Sequence, residues 1–246
     1  MLNIQKYKFK TSFECRCVYI SDIHERKIKK EGEILNKIRD LKPDIIFFGG
    51  DMVSRTTQDF TSFETICREC SNICDVYGAI GNHEQSLDQK KYDKYMMICH
   101  DNNINILDND MINYEKKFYI AGYTPTYDVY RNENGGFSNL KKIDENDIKK
   151  AIGKKPNGFT ILLCHTPHFA PAYAKWGADI TLSGHDHGGI VRLPKIGGLL
   201  SPERKFFPKY SLGNYSFGNK HTIVSSGIGK FRLFNPSDII FIEFIK

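Results

Sequence analysis

The sequence predicts an α/β fold in which two sheets pack together and carry helices on their outer faces. The first half alternates short apolar runs with amphipathic segments in a βαβαβ rhythm, the mark of a parallel sheet with right-handed crossovers. The second half is richer in strand than in helix, which two packed sheets accommodate better than one. Several of the apolar runs also end on Asp, Asn or His, at the strand ends where α/β proteins build their sites.

Cys15 to Ile20 is β-rich and ends at Ser21-Asp22. Ile28, Leu35, Ile38 and Leu41 recur at near-helical spacing and predict an amphipathic helix over residues 29–41, closed by Lys42-Pro43-Asp44. Ile45 to Phe48 is a continuous apolar run, as in a strand buried on both faces. A second helix is expected over 60–74, a third strand over Val76 to Ile80 and a further helix over 88–101. Lys117 to Tyr123, Phe159 to Cys164, Asp179 to Ser183, Thr222 to Ser226 and Ile239 to Phe244 read as strands. Residues 124–139, with Tyr127, Tyr130 and Gly135-Gly136, read as irregular, as do residues 188–220, with Pro194, Pro202 and Pro208. Both are expected to be surface loops, and either can line a pocket. Without an internal repeat or low-complexity linker, residues 1–246 read as a single domain.

The 246 residues suffice for a large core without covalent staples, and the 40% hydrophobic, 26% charged composition is that of a soluble globular protein. A net charge of +6 suits an anionic substrate without demanding a nucleic acid or a membrane surface. The small lysine groups, such as Lys27-Lys29-Lys30 and Lys141-Lys142, read as solvated faces and turns. Of the seven cysteines, Cys67, Cys70 and Cys74 share one helix face and read as an apolar stripe, since no fourth lies nearby to complete a metal site. Free cysteines, residues 1–14 without an apolar signal region, and no transmembrane segment place the protein in the cytoplasm.

Five motifs carry the chemistry: Asp22-Ile23-His24, Gly49-Gly50-Asp51, Gly81-Asn82-His83-Glu84, Cys164-His165-Thr166 and Gly184-His185-Asp186-His187-Gly188-Gly189. Together they supply seven candidate ligands for two metal ions (Asp22, His24, Asp51, Asn82, His165, His185 and His187) and leave His83 over. Hydrolysis of a phosphate ester needs an activated water and charge stabilisation at phosphorus, which two divalent ions about 3.5–4 Å apart provide. In extended chain, residues i and i+2 point the same way, so Asp22 and His24 can grip one ion, and His185 and His187 repeat the spacing. Asp51 ends a strand between its neighbours and can bridge both ions. Asn82 offers a neutral carbonyl oxygen, so that two dications with only two carboxylates keep a net positive site for phosphate.

In this order and spacing, across residues 22–187, the motifs resemble the calcineurin-like metallophosphoesterase superfamily. Gly188 to Pro194, Phe207-Pro208-Lys209-Tyr210, Ser225-Ser226-Gly227-Ile228-Gly229 and Arg232-Leu233-Phe234-Asn235-Pro236 are similar to its YkuE-like bacterial branch. The resemblance implies a four-layer α/β/β/α sandwich. It implies one metal held by Asp22, His24, bridging Asp51 and His187, and a second held by Asp51, Asn82, His165 and His185. It also implies a metal-bridging hydroxide as nucleophile, and His83 as the catalytic residue that stabilises the transition state or protonates the leaving oxygen. The metals expected are manganese, iron or zinc.

The chain departs from the branch at Asp186, where Thr is frequent; the extra carboxylate either supports a histidine or faces solvent. The branch's usual membrane anchor or export signal is also missing, which counts against a membrane-lipid substrate. His100 and His221 read as surface or capping residues, and His168 as structural although it is near enough to His165 to reach the pocket. Arg192, Lys195, Arg204, Lys205 and Lys209 make the long loop basic. Arg192, Lys209 and Tyr127 are the candidate substrate-binding residues, for a second phosphate or another part of the substrate.

The expected function is a dinuclear metal-dependent phosphoesterase acting on phosphomonoesters or phosphodiesters of a small molecule. The alternative is a pyrophosphatase or phosphodiesterase acting on a nucleotide-linked or lipid-linked substrate. A non-catalytic scaffold on the same fold is the third reading, against which all seven ligands and His83 stand. The modest charge and short basic runs argue against nucleic acid, while Tyr127, Tyr130 and Phe137 keep a nucleotide open. No oligomeric state is specified.

Overall fold

The structure, a computed structural model, describes residues 2–24, 31–189, 191–193, 197–201, 206–229 and 235–246. In chain order the elements are β1 (Leu2–Lys10), β2 (Cys15–Ile20), α1 (Glu31–Leu41), β3 (Ile45–Phe48), α2 (Thr61–Ser71), β4 (Asp75–Gly78), α3 (Gln89–Asp101) and β5 (Ile104–Ile106). There follow β6 (Asp110–Tyr114), β7 (Phe118–Gly122), α4 (Glu145–Ile152), β8 (Thr160–Leu163), α5 (Ala170–Trp176) and β9 (Ile180–Ser183). A hairpin of β10 (Val191–Leu193) and β11 (Gly197–Leu200) precedes β12 (Gly213–Phe217), β13 (Lys220–Val224) and β14 (Ser237–Ile245).

The strands form two six-stranded sheets, ordered β1-β14-β2-β3-β4-β5 and β12-β13-β9-β8-β7-β6. Within them β2 to β5 run parallel, and so do β7, β8, β9 and β13. Strand periodicity divides the side chains between layers. Ile46 and Phe48 of β3 join Ile34 and Ile38 of α1 and Phe63, Ile66, Cys67 and Cys70 of α2 in a first core, between helices and sheet. Ile45 and Phe47 point the other way, into a second core between the sheets with Ile161, Leu163, Ile180 and Leu182. Leu162 and Cys164 face a third core with Ile148, Tyr173 and Trp176 of the outer helices. Three cores between four layers make the α/β/β/α sandwich.

Local chemistry sets the element ends, with α2 stopping at Ser71 and β4 at Gly78, short of the expected 74 and 80, and with α4 and α5 as helices that were not expected. Lys42 turns left-handed at φ 48° and donates its N–H to Arg39, closing α1. Asp88 caps α3, and Asp144 and Asp147 form a capping box on α4. Cys67 and Cys70 lie in the first core, so the cysteine stripe is apolar packing.

The structure adds elements where none was expected. Residues 2–10 form an edge strand parallel to β14, with Asn3, Lys6, Lys8 and Lys10 exposed and Ile4, Tyr7 and Phe9 against the cores. The segment 188–220, expected to be loop, carries β10, β11 and β12. Lys27, Lys29, Lys30, Pro194, Lys195, Pro202, Arg204, Lys205 and residues 232–234 lie outside the described residues. No helix among the described residues is long and apolar enough to cross a membrane.

Candidate metal centre

The carboxyl ends of β2, β3 and β4 from one sheet meet those of β8 and β9 from the other, and each delivers one motif. The strand ends are tied by backbone bonds: Asp22 N–H donates to Gly50 O and His24 N–H to Asp51 O, both at 3.1 Å. Close approach of the sheets depends on glycine. A Cβ on Gly184 would lie 2.3 Å from Asp22 Oδ2, and one on Gly81 would lie 2.4 Å from the Asp51 backbone nitrogen. All seven candidate ligands and His83 are buried. Asp22, His24, Asp51, His185 and His187 all adopt φ between 52° and 67°, a region that non-glycine residues avoid unless their surroundings impose it.

The side chains converge in overlapping groups: Asp22 with His24 and His187, His24 with Asp51 and His83, and Asp51 with His165 and His185. Asp51 Oδ2 lies 3.3 Å from His165 Nε2, 3.7 Å from His24 Nε2 and 3.8 Å from His83 Nε2. Asp22 Oδ1 lies 3.7 Å from His187 Nε2 and 3.8 Å from His165 Nε2. His185 Nδ1 is 2.9 Å from Asn82 Oδ1.

The donor set fits cations. His165 Nδ1 lies 2.7 Å from Gly49 O, which holds the proton on Nδ1 and turns Nε2 inward. That buried Nε2 makes no hydrogen bond although two carboxylates surround it. Between those carboxylates a metal-free His165 keeps a proton on Nε2, and a cation binding there would displace that proton and take the lone pair.

The electrostatics agree with the geometry. Burial opposes a charge on His165, yet Asp51 and Asp22 outweigh it and push its pKa up to about 10. Burial alone would raise the Asp51 carboxyl, but His165, His83 and His24 hold it well below the usual carboxylate range. Asp22 is raised, chiefly by burial. The pocket therefore holds Asp51 charged and stabilises positive charge on His165 beside it.

Several residues join the centre that motif reading did not single out. Glu84 is fully buried, and its carboxylate accepts N–H bonds from Asp51 at 2.8 Å, Gly81 at 3.0 Å and Val53 at 3.1 Å. Burial, then the Asp51 charge, raises its pKa to about 7. Glu84→Gln replaces one accepting oxygen with a donor facing backbone N–H groups. It is expected to cost about 1–3 kcal/mol of stability, read by chemical denaturation. Asn235, at the end of the branch-like segment, donates to His187 O and Gly189 O and so braces the His185 to Gly189 turn. Arg55 donates its backbone N–H to His83 Nδ1 at 3.1 Å, and its Nη2 lies 3.3 Å from His83 Nε2.

Asp186 settles as a buried partner of a histidine: its Oδ1 lies 3.0 Å from His168 Nε2. The ring of His168 is in turn 5.7 Å from that of His185. The aromatic ring from the first loop that meets the centre is Tyr130, 5.0 Å from the His185 ring, whereas Tyr127 packs against the third core. Arg192 donates to Gly188 O at 3.1 Å and so borders the histidine turn. Lys209 is exposed, with its ammonium 5.3 Å from the Tyr210 ring. His100 is exposed beside Asp101, and His221 packs on Phe9.

A buried Asp/His centre at the facing ends of two sheets in an α/β/β/α sandwich defines a metal-site protein of the phosphoesterase class. The chain belongs to the calcineurin-like phosphoesterase family, whose model matches residues 15–189. It is 26% identical over 218 residues to the uncharacterized metallophosphoesterase YkuE of Bacillus subtilis, covering 81% of this chain and 66% of that protein. It is 22% identical over 221 residues to the phosphodiesterase YaeI of Escherichia coli, covering 87% of this chain and 75% of that protein. The crystal structure of TT1561 of Thermus thermophilus shares the fold, with a TM-score of 0.56 at 10% identity over 87% of this chain and 90% of that one.

Proposed function

We propose that the chain hydrolyses phosphate esters of small molecules at a two-metal centre. The observation that carries this is the sharing of Asp51 between two ligand groups, one with His24 and one with His165 and His185. One ion would be held by Asp22, His24, Asp51 and His187, the other by Asp51, Asn82, His165 and His185. Two divalent ions there supply a water activated at neutral pH and a clamp for the phosphoryl oxygens. Manganese, iron and zinc all suit this mixed imidazole and carboxylate set. The likeness to a relative named a phosphodiesterase brings diesters into the substrate class beside monoesters.

The protein's own groups complete the chemistry. The Arg55 backbone donates to His83 Nδ1, so the proton of a neutral His83 ring sits on Nε2. Nε2 and the Arg55 guanidinium are then two donors 3.3 Å apart, an arrangement that suits a phosphoryl or leaving-group oxygen between them. His83 would give its Nε2 proton to the departing oxygen, and Arg55 would hold the phosphate. Glu84 keeps Asp51, Val53 and Gly81 in place through backbone bonds.

The test is a panel of phosphomonoesters, phosphodiesters and nucleotides, assayed with manganese-loaded protein and with the same protein after chelation. The expected result is turnover of at least one class that chelation abolishes and manganese restores. Equal turnover by chelated protein would refute the mechanism, and no turnover of any phosphorylated compound by metal-replete protein would refute the reaction.

A further inference from the structure

Beside the centre lies a cavity of about 620 Å³ that none of the five motifs explains. One wall is the loop after Tyr127, contributing Val129, Phe137, Leu140 and Ile143; the opposite wall is the start of α5, with Phe169 and Ala172. Val129, Ile143 and Ala172 belong to the third core, so the walls are anchored in packed structure. The charged side chains of the lining are Lys141 and Lys142, and no carboxylate is among them. Lys141 donates to Thr126 Oγ1 at 3.1 Å and lies 3.9 Å from Asp128, so its charge is already matched, and mainly apolar walls are left to receive an organic group.

The cavity adjoins the centre through two rings. His168 lines it, is held by the buried Asp186, and stands 5.7 Å ring to ring from His185. Tyr130, next in chain to the wall residue Val129, stands 5.0 Å from the same His185 ring. His168 therefore borders both the cavity and the His185 ring. The cavity volume exceeds what a methyl or glyceryl group would fill, and most of the side chains lining it are apolar.

We propose that this cavity receives the organic group of the phosphate ester, and that the group it selects is apolar and at least the size of an aromatic ring. The proposal rests on the phosphoesterase reading and adds the substrate class to it.

The experiment compares benzyl and methyl esters of phosphate, whose leaving groups are chemically alike, and measures binding of benzylphosphonate and methylphosphonate by calorimetry. The metal-loaded wild type is expected to prefer the benzyl ester and to bind benzylphosphonate more tightly. Leu140→Asp puts a charge in a half-buried loop position of the wall and should lower the benzyl-to-methyl ratio of kcat/KM about tenfold. Leu140→Met should keep the wild-type ratio. Phe137→Ala, a second half-buried loop variant, should lower it in the same sense. Wild-type ratios in both Leu140→Asp and Phe137→Ala, or no preference of the wild type for benzylphosphonate, would overturn the proposal. If neither ester turns over, the phosphoesterase reading is decided by the wider substrate panel above, and the phosphonate preference and its loss in Leu140→Asp still decide the cavity.

Discussion

Asp51→Asn is expected to empty both halves of the metal centre at once. Among the described residues Asp51 belongs both to the group with His24 and His83 and to the group with His165 and His185, so its charge is lost from both. Outer-shell changes alone typically cost metal affinity about ten- to a hundredfold, and loss of a shared ligand should cost at least about a hundredfold. The fold should survive. Asn is isosteric, and its oxygen can still accept the His83 backbone N–H that Asp51 Oδ1 accepts at 2.8 Å. The check is metal content by elemental analysis together with the far-ultraviolet circular dichroism of the same sample. A variant that stays folded, carries less than a tenth of the wild-type metal and turns over no faster than chelated wild type is the expected outcome. Full metal retention would show that Asp51 does not bridge.

His83→Ala should produce the complementary signature. His83 Nε2 stands 3.8 Å from Asp51 Oδ2, and its Nδ1 is engaged by the Arg55 backbone, which leaves the Nε2 proton for the substrate. Removing a general acid lowers kcat by about 10²–10⁴. Metal content should stay at the wild-type level, because the seven proposed ligands remain. The loss should be smallest for esters of acidic alcohols, whose leaving oxygen needs no proton. A uniform loss across leaving groups would instead assign His83 to phosphate binding. Loss of metal along with activity would make it a ligand, a role its place in the group with His24 and Asp51 makes worth measuring.

The contrast between Asp51 and Glu84 shows what a sequence makes legible. Asp51 follows four apolar residues and two glycines, so both its strand end and its turn are written locally. Strands β2, β3, β8 and β9 are readable for a related reason: each is a mostly buried strand rich in apolar and β-branched residues, and β3 is apolar throughout. Glu84 sits inside a quoted motif, yet its work is to accept the backbone N–H groups of Asp51 and Val53 beyond β3 and of Gly81 beyond β4. That role exists only once β3 and β4 pair. Arg55 is four residues past Asp51 with no spacing signal, and only the turn after β3 returns its N–H to His83.

Edge and surface elements are hidden by a different cause. Residues 2–10 alternate apolar Ile4, Tyr7 and Phe9 with lysines, but the period is broken between Ile4 and Tyr7, and the partner strand is the last in the chain. Nothing local announces a pairing across more than two hundred residues. The loop after β7 is recognisable as a possible wall from its aromatic content. Which ring meets His185 depends on the short turn at Tyr127–Val129, which packs Tyr127 on the third core and brings Tyr130 to the centre.

The most direct measurement is a metal titration of the chelated wild-type protein with manganese, following bound metal per chain and phosphoesterase activity in the same samples. Two ions bound per chain, with activity appearing only as the second site fills, is the result a shared Asp51 predicts. Saturation at one ion per chain, or full activity before any metal is added, would contradict it.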